Sequence, residues 1–274
     1  MSALDGRVPR AAVLAAMPAR ASVSVLTTAR LFVRRSLLHS VRDVDALIIS
    51  IVLPVMLMLM FVYVFGGAIE PGGRYVDYVV PGIILLCAGY GGASTAVGVA
   101  QDMTTGVIDR FRTMPIRSSA VITGHVVSSL ARNLVATAVV IAAAVAVGFR
   151  PSAGPLGWLA AITLVALWIL AITWLFAALG LVSRSVEAAG NYGFALLFLP
   201  YLSSAFVPTD TMPAGLTWIA DHQPITPLIE SIRGLLLGTE LGSEPVWAVG
   251  WCLLIMIGAR LWARHLFRVR AATR

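Results

Sequence analysis

Long uncharged apolar runs alternate along the chain with short stretches that carry arginine, and the length of the runs predicts membrane-spanning helices. Residues 46–65, 79–100, 156–182 and 188–207 contain no charged side chain. About 20 residues rising about 1.5 Å each cross the hydrocarbon core of a bilayer, so each run reads as one span. A third span is predicted over 119–149, with His125 and Arg132 in its first half and an apolar second half from Leu134. A sixth, over 246–263, meets Arg260 and Arg264 at its end, where long side chains snorkel to head groups. The expected fold is an all-α integral membrane protein with six transmembrane helices in a domain over 46–263.

Between the spans, polar periodicity predicts further helices. Residues 22–45 place Leu26, Val33 and Leu37 apart from Arg30, Arg34, Arg35 and Arg42, as an amphipathic interfacial helix does beside anionic lipid. Residues 1–21 before it read as a disordered cytoplasmic tail, and 264–274 as a basic cytoplasmic tail. Over 101–115, Met103, Val107, Phe111 and Met114 form one stripe, with Asp102, Asp109, Arg110 and Arg112 off it and Pro115 at its end. Residues 200–244 are punctuated by five prolines yet keep recurring apolar positions. Thr226 and Pro227 read as the cap and first position of a helix that Gly238 stops. Two short re-entrant helices are expected there, allowed where surrounding protein shelters the broken backbone.

Charge then orients the bundle. All 20 basic residues are arginine. With both termini cytoplasmic, 16 arginines fall inside, Arg74, Arg150 and Arg233 fall outside, and Arg132 lies within the third span. The expectation is a multi-pass protein of a bacterial plasma (inner) membrane. A net charge of +7 would suggest nucleic acid in a soluble protein, but here the arginines follow the membrane, so no nucleic-acid partner is expected. The first 45 residues hold seven arginines and no uninterrupted apolar run, which leaves the first span as the uncleaved insertion signal. Without lysine the chain cannot carry the phosphate-binding G-x-x-x-x-G-K-[ST] loop, so any ATP hydrolysis must come from a partner. Cys87 and Cys252 both lie in apolar runs and read as small buried hydrophobes, not as a disulfide or metal site.

Few polar residues invite a chemical role. Arg132 and Asn133 are costly at membrane depth. The 16 residues 134–149 nearly cross on their own, however, which favours a late-starting span with Arg132 among the head groups. Glu187 either pairs with Arg184 or caps the fifth span. The glycines of the second span, Gly82 and Gly91 among them, allow close helix approach. Phe198, Tyr201 and Phe206 are the candidate substrate path, because aromatic faces stack on planar compounds. No H-E-x-x-H, no G-x-S-x-G and no paired acids within a span suggest an intramembrane enzyme.

Three stretches carry a family resemblance: DMTTGVIDRFRTMPIRSS from Asp102, LSSAFVPTDTM from Leu202 and DHQPITPLIESIRGLLLG from Asp221. With this order of elements the chain resembles the membrane subunits of type-2 ABC exporters, in particular the daunorubicin-resistance permease group. The resemblance implies a connecting helix at 22–45, in which Arg30, Arg34, Arg35 and Asp43 flank the ATPase. It also implies a coupling helix, with Asp102, Met103, Val107, Asp109, Arg110, Phe111, Arg112 and Met114 seated in a groove on the ATPase. Two permeases, identical or different, would work with two ABC ATPase subunits. This chain would hold no cofactor, ATP and Mg residing in the partner, and it would export a hydrophobic or amphipathic drug, natural product or lipid. A lipid-linked saccharide as cargo, or a non-transporting membrane scaffold, are the alternatives.

Overall fold

The computed structural model describes residues 44–69, 74–105, 119–196 and 198–272. The connecting helix, most of the coupling segment and the first tail lie outside them. The described residues are helical, in the order α1 (Val44–Leu59), a π-helical turn (Met60–Phe65), α2 (Gly66–Ile69), α3 (Tyr75–Thr104), α4 (Ser119–Val147), α5 (Pro155–Val182), α6 (Val186–Leu196), 3-10 turns at Leu199–Leu202 and Thr209–Thr211, α7 (Ala214–His222), α8 (Ile225–Leu237) and α9 (Glu244–Ala272). Among the described residues five stretches are long and apolar enough to cross a membrane: Ser50–Ile69, Tyr75–Thr104, Ile122–Val147, Pro155–Val182 and Glu244–Leu266. In hydrocarbon every backbone N–H and C=O needs a partner within the protein, and long helices supply it locally.

Each helix also answers to its own sequence. Pro54 lies inside α1 and has no N–H to give the carbonyl of Ser50, one turn back. That carbonyl accepts instead from Cys87 Sγ on α3, at 3.5 Å. Gly154 caps α5, with Pro155 at its first position. α8 ends on Gly238 at φ 74, a left-handed conformation that glycine adopts without strain. Its start differs from the sequence expectation. Pro224 is the cap and Thr226 sits in the first turn, where its hydroxyl donates to Ala220 O at 2.6 Å and so ties α7 to α8.

The fifth predicted span is the element that departs most. α6 stops at Leu196 and a 3-10 turn follows, because Pro200 cannot donate to the carbonyl of Leu196 and thus cannot continue a helix. Ser203 then takes over local hydrogen bonding, its Oγ donating to Pro200 O and accepting from Ala205 N at 3.2 Å. This broken segment climbs along α3. Gly190 lies against Val97, Ala205 against Gly82, and the Tyr75 hydroxyl donates to Phe206 O at 2.6 Å.

α3 is the axis of the bundle. Ile83 through Ala88 are all at most 1% exposed, and α1, α4, α5, α6 and α8 pack around it, with α9 against α5. Tight contact needs glycine. A Cβ on Gly82 would stand 2.6 Å from that of Ala205, and one on Gly91 would stand 1.3 Å from Asn133 Oδ1.

Candidate functional site

The segment predicted to couple to an ATPase opens on the last turn of α3. Gln101, Asp102, Met103 and Thr104 continue the second span's helix, and Thr105 closes it through its N–H and hydroxyl, both bonded to Gln101 O. Asp102 Oδ2 lies 2.8 Å from His125 Nε2, clasping the last turn of α3 to the first half of α4. Met103 packs into a small apolar cluster with Val99, Ile122, Val126, Leu181 and Ala263. A displacement of this turn therefore bears on α3, α4, α5 and α9 together. Val107, Asp109, Arg110, Phe111, Arg112 and Met114 lie outside the described residues, as do Arg30, Arg34, Arg35 and Asp43.

Arg132 has partners within the bundle. α4 already begins at Ser119, about 20 Å along the helix from Arg132 at about 1.5 Å per residue. Its guanidinium donates to Gly91 O and Ser94 Oγ on α3. Asn133 is wholly buried, and its Nδ2 donates to Ser129 Oγ at 3.1 Å. Ser129 in turn meets Thr173 on α5, at 3.5 Å. Polar residues of three apolar helices thus join them, with Gly91 providing the space. At the start of α6, Ser185 Oγ accepts from Ala188 N at 3.1 Å. Glu187 is held below the ordinary carboxylate range by its own backbone N–H and the Ser185 hydroxyl, the pattern of a helix cap.

At the other end of α3 the three aromatic candidates come together in one row. Phe198 and Tyr201 have ring centroids 6.1 Å apart, Tyr201 stacks on Phe206 at 5.2 Å, and Phe206 stacks on Phe61 of the π-helical turn at 4.2 Å. Burial separates their roles: Phe206 is 5% exposed, whereas Phe198 is 53% and Tyr201 36%. The inner end of the row is core, and the outer end is open to whatever lies beside the bundle.

A buried cation fastens this row. Arg233 on α8 is 9% exposed. It donates to Tyr78 O and Ser204 O, each at 3.0 Å, pairs with Glu230, and sets its guanidinium 3.9 Å over the Tyr78 ring. One side chain therefore joins α8, α3 and the broken segment.

With this geometry established, comparison with known proteins decides the family. Residues 27–237 match the ABC-2 type transporter family. The chain belongs to that family. It is 30% identical to the daunorubicin resistance ABC transporter permease protein DrrB1 of Streptomyces coeruleorubidus, over 88% of this chain and 84% of that protein. It is 25% identical to a probable doxorubicin resistance ABC transporter permease protein, DrrC, of Mycobacterium tuberculosis, over 86% and 92% of the two chains. A more distant relative is ABC transporter G family member 20 of Dictyostelium discoideum, 24% identical over 70% of this chain and 27% of that protein.

As an ABC-2 permease, the chain is a multi-pass membrane protein and the membrane subunit of an ABC exporter. Sequence reasoning found its aromatic row but missed both ends of the support. Phe61 lay unremarked in an apolar run, and Arg233 was counted only as an outer charge. The signal for Arg233 was present in that it lies one turn from Glu230 in a segment otherwise apolar. Among the described residues no group of three His, Cys, Asp or Glu side chains could hold a metal ion.

Proposed function

We propose that this ABC-2 permease exports a hydrophobic or amphipathic compound, with anthracycline-like drugs as the first candidates, powered by ATP bound with Mg in a separate ABC ATPase chain. Two permeases and two ATPases form the working unit in a bacterial plasma membrane, with both termini cytoplasmic. The observation that carries this reading is the broken fifth segment. It follows α3 from Val97 to Tyr75, 22 residues or about 33 Å at about 1.5 Å each, a distance comparable to the hydrocarbon core. We therefore count it as the sixth crossing, one that trades helical continuity for an aromatic row. Phe198 and Tyr201 then serve as the surface a planar compound slides over, and Phe206 as their anchor. α7 and α8 are read as re-entrant helices closing the outer end, held by Arg233.

Coupling runs through the other end of α3. The segment 101–115 docks on the ATPase by its Met103, Val107, Phe111 and Met114 stripe, with Asp102, Asp109, Arg110 and Arg112 setting register, beside the connecting helix that carries Arg30, Arg34, Arg35 and Asp43. Closure of the ATPase pair pulls on the Asp102–His125 clasp and tilts α3 against α4.

Inverted membrane vesicles containing the permease and its ATPase test the reading. ATP should drive doxorubicin into the vesicles, Phe111→Asp should abolish that uptake while the chain still inserts, and Tyr201→Ala should weaken it. ATP-dependent uptake undiminished in Phe111→Asp would remove the coupling assignment. Failure of ATP to move any hydrophobic compound would remove the exporter assignment.

A further inference from the structure

Between α4 and α5 lies an apolar pocket of about 360 Å³, on the far side of α3 from the aromatic row. Ile84 of α3 faces this pocket, whereas Gly82 backs onto Ala205, and two residues turn about 200° on a helix of 3.6 residues per turn. The floor is closed by Ile84, Ile232 and Leu236, all at most 1% exposed. The mouth is formed by Ala138, Trp158 and Ile162, the last 49% exposed. Beside the mouth, Val135 and Leu159 are 57% and 62% exposed on apolar faces of spanning helices. The medium at the opening is therefore lipid hydrocarbon.

We propose that this pocket holds one acyl chain of a membrane phospholipid. Ligand pockets run from about 300 Å³ upward, so the volume is sufficient, and at about 30 Å³ per water-sized group it admits about 12 chain carbons. Thr137 is the one hydroxyl in the lining and Trp158 the one indole; no charged side chain lines it. A cationic or polyhydroxylated compound would lose its hydrogen bonds there and gain none. A helix from a second copy, about 10 Å across, does not enter a cleft between two adjacent helices. A slender chain does, and it restores the dispersion contacts that an empty pocket would forgo.

The site reaches the outer end of the bundle through its floor. Ile232 precedes Arg233, which bonds to Tyr78 O and Ser204 O. A chain pressed against Ile232 and Leu236 thus supports α8 in the position that fastens the broken segment.

The purified permease in nanodiscs of phosphatidylethanolamine and phosphatidylglycerol, doped with a phosphatidylcholine bearing a diazirine near one acyl terminus, tests this directly. After irradiation, digestion and residue-level assignment, label should concentrate on Ala138, Ile141, Trp158 and Ile162, above the level at Val135 and Leu159. It should fall to that surrounding level in Ala138→Trp, whose exposed position spares the core, and in Ala161→Phe. Label spread evenly over the lipid-facing surface, or a concentrated signal unchanged in a folded Ala138→Trp variant, would overturn the proposal. So would displacement of the label by doxorubicin, which would assign the pocket to the small-molecule cargo.

Discussion

At the scale of single residues, close approach and buried polarity set the tolerances. Gly91 leaves no room for a methyl group beside Asn133, so Gly91→Ala should cost about 1–3 kcal/mol through overpacking. Combining it with Asn133→Ala should recover most of that loss. A denaturation series in detergent measures both, and additive losses would show that the strain lies elsewhere. Arg233 is a second sensitive position. Arg233→Met strands two carbonyls and Glu230, and should lower unfolding stability by about 3 kcal/mol, the lower end for a broken buried pair because Glu230 is partly exposed. Arg233→Lys should fall between, since an ammonium keeps the charge but cannot bridge both carbonyls while stacking on Tyr78. These contacts were hidden in the sequence because Arg233 and Tyr78 are 155 positions apart. For the same reason the partners of Arg132 were not legible: Gly91 and Ser94 lie on another helix.

At the scale of elements, uncharged length revealed α1, α3 and α5, and apolar runs interrupted or bordered by arginine revealed α4 and α9, since a helix in lipid satisfies its own backbone whatever its neighbours. The broken fifth segment was less legible. Its apolar composition continues unchanged past Leu196, so hydropathy runs through the break, and Pro200 is the one residue that announces it. Gly238 was readable as a stop because the left-handed conformation is a local demand, whereas the start of α8 was not, because Thr226 is engaged by α7. A crossing at this segment places Ser185 and Asp210 on opposite sides of the membrane. In a chain freed of its two cysteines by Cys87→Ala and Cys252→Ala, a membrane-impermeant maleimide applied outside should label Asp210→Cys and spare Ser185→Cys. Equal labelling of both would mean that the segment does not cross.

Across the whole molecule, α3 connects the two ends at which function is proposed: the clasp of Asp102 on His125 at one, and at the other the hold of Tyr75 on Phe206 and of Tyr78, through Arg233, on Ser204. In the proposed coupling, force applied at the Asp102 end reaches the aromatic row along one helix of 30 residues. The absence of lysine excludes a P-loop from this sequence and so leaves ATP hydrolysis to the proposed partner; the cargo left no such mark, because aromatic and apolar surfaces accept many compounds. The most direct test is to isolate the tagged permease in mild detergent with nucleotide present and identify by mass spectrometry what accompanies it. A P-loop ATPase recovered with the parent chain and lost with Phe111→Asp is the predicted result. Recovery of the permease alone, under conditions that keep it folded, would contradict an ATP-driven exporter.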